Sequence, residues 1–126
     1  MNKKIINTDF HPVFAKEAML NRFMNDAEIA CSVAVVFLTD MPRQISLLQR
    51  AVETKDLETA TRLAHSMKGA AMNVGGLGFA KLAATMEKDG REKRITAMEE
   101  RLTQMKNDFH DLKKNLIETF NIKDIP

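Results

Sequence analysis

The sequence predicts an all-α domain: an antiparallel up-down-up-down four-helix bundle with a short N-terminal helix. Three observations predict it. Leu, Ala, Met, Glu and Lys dominate a chain with only 5 Gly, 3 Pro, no Trp and no Tyr, and these are strong helix formers. The stripe Ile95, Met98, Leu102, Met105, Phe109, Leu112, Leu116 steps alternately by three and four residues, the spacing of a helix seam packed against other helices. Glycine-marked breaks at 75–76 and 90 argue against one long coiled coil and for several helices joined by short turns. The 126 residues fit a single domain, 1–126, with its core over about 13–120.

Residues 1–11 read as a loose leader. Pro12 suits the first turn of a short helix, with Asp9 nearby as a cap, running to about Met24. Asn25-Asp26 starts a long helix to about Thr54, whose apolar positions are Ile29, Val33, Val36, Phe37, Ile45, Leu48 and Val52. Pro42 removes a backbone hydrogen bond and predicts a kink near Asp40, or two abutting helices. A third helix runs from Lys55-Asp56 to about Val74 and closes at Gly75-Gly76. A fourth covers roughly Leu77 to Lys88 and stops at Asp89-Gly90, and the last covers about Glu92 to Phe120.

Charge and cysteine usage exclude several function classes. The net charge is only +2. The basic clusters Lys3-Lys4, Arg91-Lys93-Arg94 and Lys113-Lys114 are short or interleaved with acids, so they read as solvated faces and not as a nucleic-acid footprint. Cys31 stands alone, which leaves no internal disulfide or thiolate metal site, and its apolar neighbours suggest a buried structural thiol. The run Ile29 to Leu38 is too short for a bilayer, so no direct membrane insertion is expected. Lys3-Lys4 is followed by Asn7, Thr8 and Asp9, unlike a secretory signal. A reduced, cytoplasmic setting is the expectation.

The segment Leu57 to Val74 carries the candidate chemistry. Advancing about 100° per residue from Ala64 places Leu57, Ala60, Ala64, Met67, Ala71 and Val74 on one buried arc. His65 falls on the shoulder of the helix, with Thr61, Lys68 and Met72 beside it. Lys68 follows His65 by three residues, so its ammonium can lie beside the imidazole. A cation so placed is a poor partner for protonated histidine and a good one for a phosphate on that histidine. Gly69 sits on the exposed side, where glycine costs about 1 kcal/mol relative to alanine. Clearance is the simplest reason for it: no side chain blocks the imidazole from another protein. Tolerated noise is the alternative. A largely neutral imidazole is nucleophilic near pH 7. His11, His65 and His110 lie in different segments without metal-ligand spacing, so no metal is expected.

The string Ala64-His65-Ser66-Met67-Lys68-Gly69-Ala70-Ala71-Met72-Asn73-Val74-Gly75-Gly76 resembles the phosphoacceptor motif of histidine phosphotransfer domains. That motif is His, two variable residues, Lys-Gly, then a later glycine. The likeness extends through Phe37-Leu38, Leu47-Leu48, Ala51, Asp56-Leu57, Ala60 and Leu63-Ala64 before the histidine, and through Leu77, Leu82 and Met86-Glu87 after it. It covers residues 13–120. Met67 stands where the family often has Leu, a core-compatible exchange. Kinase dimerisation domains follow their histidine with an acidic residue and soon a proline; here Ser66 follows and no proline comes near.

The resemblance implies a phosphorelay intermediate. His65 would accept a phosphoryl group, through its outer ring nitrogen, from a receiver-domain aspartate and pass it to another. Lys68 would stabilise the phosphoryl oxygens and Gly69 would permit docking, with Thr61, Met72, Gly75 and Gly76 as binding residues. Response-regulator receiver domains are the implied partners and bring their own Mg²⁺, so the chain itself needs no cofactor. A monomer is expected, either free-standing or as the C-terminal module of a hybrid sensor histidine kinase. No ATP-binding half is present, so no kinase activity of its own is expected. Counting back through the turn at 75–76 puts residues 85–87 across from His65. Glu87 is the polar candidate for the inner ring nitrogen; the other reading is a solvated glutamate. Two rival functions stay open: a kinase-attached phosphoacceptor module, as in chemotaxis kinases, and a helical adaptor without phosphotransfer.

Overall fold

The described residues, 11–123 of a computed structural model, form five helices and no strand. These are α1 Lys16–Arg22, α2 Ala27–Glu53, α3 Leu57–Asn73, α4 Leu77–Arg91 and α5 Ile95–Phe120. The readings that fall on residues 1–10, namely the leader, Asp9 as a cap and the Lys3-Lys4 pair, lie outside the described residues. Successive long helices are joined by residues 54–56, 74–76 and 92–94. Each connection is built the same way. The central residue, Lys55, Gly75 or Lys93, takes a left-handed φ of 60°, 71° or 59°. The next amide then reaches back to the helix just ended: Asp56 N–H to Ala51 O, Gly76 N–H to Ala71 O, Arg94 N–H to Asp89 O. This closure satisfies carbonyls that a helix end would otherwise leave open.

Three features differ from the sequence reading. Pro12 does not begin α1. Its carbonyl accepts from Gly78 N–H at 3.0 Å and Ala15 N–H donates to Gly75 O at 2.8 Å, so residues 12–15 strap the α3–α4 turn, and α1 starts only at Lys16. Of the two readings at Pro42, a kink or two abutting helices, the second does not hold, because α2 runs as one helix of 27 residues with Pro42 inside it. Pro42 is exposed, and Leu38, Met41, Ile45 and Leu48 bury the two halves along one stripe. Asp89-Gly90 does not stop α4. Both residues are buried inside it, and the turn follows at 92–94. At the start of α2 the reading holds: Asp26 Oδ1 accepts from Glu28 N–H and Ile29 N–H at 3.0 and 3.1 Å, a cap worth about 1 kcal/mol.

α2 packs on α3 and α5, and α4 packs on the same two helices. Phe37, Phe79 and Phe109 bring α2, α4 and α5 together at the centre, with ring centroids 6.1–6.5 Å apart. Burying Phe79 alone is worth roughly 1.5–3 kcal/mol. Met41, Met67, Met86, Met98 and Met105 fill the space around them, flexible side chains that adapt to gaps. Asp89, buried on α4, accepts from Arg101 Nε on α5 at 2.7 Å. Cys31 is half-buried against the core.

Phe37, Ile45, Leu48 and Val52 of the expected α2 stripe are buried, but two of its positions are exposed. Ala30 and Ala34 are buried, while Ile29 and Val36 are exposed. α2 also has the length and apolar content of a membrane span, so length does not exclude one. Its buried residues pack into the protein core instead.

Candidate functional site

α3 and α4 build the site between them. Asp56 caps α3 through Oδ1, which accepts from Thr59 N–H at 3.1 Å. Ala60, Ala64, Met67 and Ala71 then fall on the buried side of α3, with Leu57 half-buried. These small residues let α4 approach closely, and Gly90 completes the fit. A Cβ on Gly90 would stand 2.1 Å from Thr61 Oγ1, the hydroxyl that donates to Leu57 O at 2.7 Å. Gly90 is therefore a close-approach glycine.

His65 stands on the shoulder of α3 with 64% of its side chain exposed. Its Nδ1 lies 2.9 Å from Oε2 of Glu87 on α4. Glu87 is buried, and Lys68 Nζ donates to its other oxygen, Oε1, at 3.0 Å. Arg91, one turn further along α4, donates through Nη2 to Oε2. Burial alone would raise the Glu87 carboxyl. Hydrogen bonds from Lys68 and His65, with the charges of Lys68 and Arg91, outweigh it and hold the carboxyl below its ordinary value.

A carboxylate only accepts hydrogen bonds, so Nδ1 is the donor in this contact. In the tautomer with its single proton on Nδ1, Nε2 holds the free lone pair. Beside it, a Cβ on Gly69 would meet nothing within 4 Å. A cleft opens from His65 along the α3–α4 interface, lined by Thr61, Arg62, Gly90, Arg91 and Lys93.

The structure thus brings His65, Lys68 and Glu87 together and leaves Gly69 open. Met72 is exposed on the same helix, and Thr61 is half-buried in the cleft. Gly75 and Gly76 do not fit their expected binding role, because both are buried. A Cβ on Gly75 would lie 2.6 Å from Ala15 O, and one on Gly76 would lie 2.5 Å from Leu112 Cδ2. Their place is the turn under the strap. Arg91 is the group that sequence reasoning missed. The sequence alone puts it in a solvated basic cluster, although its spacing of four from Glu87 is a standard helix ion-pair signal. Among the described residues, no group of three or more His, Cys, Asp or Glu comes together to hold a metal.

A family model described as Hpt domain matches residues 32–115, a span that contains every residue of this site. The chain belongs to the Hpt domain family. Membership carries a role in histidine phosphotransfer, and Hpt domains interact with response-regulator receiver domains in phosphorelays. The fold of this Hpt domain is similar to the crystal structure of histidine-containing phosphotransfer protein B from Pseudomonas aeruginosa PAO1. The TM-score is 0.82 at 17% identity, covering 90% of this chain and 98% of that one. No curated protein matches the sequence.

Proposed function

We propose that this Hpt domain is a phosphorelay carrier. His65 takes a phosphoryl group from the aspartate of one receiver domain and gives it to the aspartate of another. The observation that carries the reading is the orientation of the ring: Nδ1 is tied to buried Glu87 at 2.9 Å, while most of the imidazole is exposed. A ring held this way presents Nε2 without further rearrangement. Lys68 is within reach to follow a phosphoryl group on Nε2, and open Gly69 gives a partner room to approach. Exposed Val36, Leu47 and Met72 on α2 and α3 supply apolar contact for docking.

In this reading α2 to α5 are the antiparallel up-down-up-down bundle, which the short connections and the pairing of neighbours support. The carrier acts as a cytoplasmic monomer and needs no metal or nucleotide of its own; Mg²⁺ belongs to the receiver. Incubation with a phosphorylated receiver domain tests the proposal. An acid-labile, alkali-stable phosphoryl group should appear on His65, and His65→Gln should fold alike and accept nothing. A protein that stays unlabelled, or a label that survives in His65→Gln, refutes it. Transfer only from an ATP-binding kinase core, and not from a receiver, points to the kinase-attached module instead.

A further inference from the structure

Two permanent cations share one buried carboxylate beside His65. Lys68 bonds Glu87 Oε1, Arg91 bonds Oε2, and His65 Nδ1 bonds that same Oε2. Arg91 is 67% exposed, uses Nη2 for Glu87 and lines the cleft. A phosphoryl group brings close to two negative charges at neutral pH. Once it is on Nε2, the carboxylate and the phosphoryl group outweigh the two cations by about one negative charge.

Building on the carrier reading, we propose that Glu87 and Arg91 set the protonation of the loaded ring, so that phosphohistidine keeps its Nδ1 proton and gives up its phosphoryl group from a cationic imidazole. The surplus negative charge favours a cation at the centre of the cluster, and the Nδ1 proton, already bonded to Oε2, is that cation. Other charged groups face the cleft: Glu58 and Arg62 from α3, and Lys93 from the α4–α5 connection. Glu58 favours the proton and the two cations oppose it, and all three are exposed to screening solvent.

No proton moves in either direction. On loading, the Nε2 lone pair forms the N–P bond while the P–O bond to the donor aspartate breaks, its electron pair staying on that carboxylate. The ring becomes a phosphoimidazolium. On unloading, an acceptor carboxylate oxygen attacks phosphorus, the N–P pair returns to Nε2, and neutral imidazole leaves. A ring without the Nδ1 proton has to leave as an anion, a much poorer leaving group. Glu87 and Arg91 are thus positioning residues that decide up to what pH the carrier stays a competent donor.

The test uses a His11→Gln, His110→Gln background, loaded with phosphoramidate so that His65 is the sole acceptor histidine. The phosphohistidine decay rate is followed from pH 5 to 10 with Glu87 and Arg91 intact, and in Glu87→Gln and Arg91→Gln. The ¹⁵N shift of His65 Nδ1 is read in the same samples. Glu87→Gln keeps an acceptor for Nδ1 but removes one negative charge, so the proton affinity of the loaded ring should fall about tenfold. Arg91→Gln removes a cation and should raise it. A packing role alone moves neither profile in opposite directions. Equal midpoints in all three proteins, or shifts of the same sign in both variants, overturn the proposal. Absence of transfer from a phosphorylated receiver is a separate result and overturns the carrier reading instead.

Discussion

His65 Nδ1 and Glu87 Oε2 meet at 2.9 Å although 22 residues separate them in sequence. The pair crosses from α3 to α4, so the spacing of those two helices sets the orientation of the ring. Lys68 joins from the same helix as His65, and its side chain is one-third exposed.

Replacement of Lys68 by Ala should slow phosphoryl transfer by about ten- to a hundredfold, because a charge-assisted hydrogen bond is worth about 1.5–3 kcal/mol. Glu87 keeps His65 and Arg91 as partners, so the fold should hold. Single-turnover transfer from a receiver checks the rate, and far-ultraviolet circular dichroism checks the helices. Lost helicity would contradict the placement of Lys68 at the surface.

Gly69→Leu should move stability and activity in opposite directions. The position is open, and leucine gains close to 1 kcal/mol over glycine in a helix. The melting temperature should rise by a few degrees, while transfer from a receiver falls because the new side chain stands beside the imidazole. Unchanged transfer would remove the clearance argument.

Acid should weaken the fold through Glu87. Its folded-state carboxyl titrates below the ordinary value. The resulting stability is present above the unfolded-state value of about 4.3 and drains away as pH falls through the lower folded-state value. Asp40, bonded by Gln44 and Arg43, and Asp56, bonded by Thr59, act in the same sense. Asp108, raised by burial, acts in the opposite one. Thermal melts from pH 7 to 3 should show a shallower decline for Glu87→Gln than for the wild type. Parallel curves would mean that Glu87 contributes no acid sensitivity.

Gly90→Ala should cost about 1–3 kcal/mol, the usual range for overpacking, because its Cβ would collide with Thr61 Oγ1. Removing the hydroxyl with Thr61→Ala should restore part of the loss. Denaturant melts of the two single variants and the double variant measure the coupling. Additive effects would show that the contact does not limit how closely α3 and α4 approach.

Much of α3 was legible in the sequence because the helix is continuous and its buried positions are small and evenly spaced. One wheel therefore placed His65 and Lys68 on its shoulder. α2 was harder. Its apolar spacing picks out Phe37, Ile45, Leu48 and Val52, which are buried, but also Ile29 and Val36, which are exposed, and it passes over buried Ala30 and Ala34. Alanine is too weakly hydrophobic to mark a face by itself. Gly90 was read as a stop because glycine favours turns, but it serves a contact with Thr61, which only the folded chain brings near. Glu87 could be proposed by counting through a tight turn. That Lys68 and Arg91 both converge on it depends on side-chain reach, which spacing does not reveal.

The methionine core also makes the protein a recorder of its own opening. Met19, Met41, Met67, Met86, Met98 and Met105 are sealed from solvent, while Met24 and Met72 stand at the surface. A mild peroxide pulse converts an accessible thioether to a polar sulfoxide. In the closed protein it marks Met24 and Met72, and Met72 lies two turns from His65 on α3. A receiver seated over His65 would shield Met72 from oxidation, and a breathing core would expose the other six, so one mass spectrum reports both docking and unfolding.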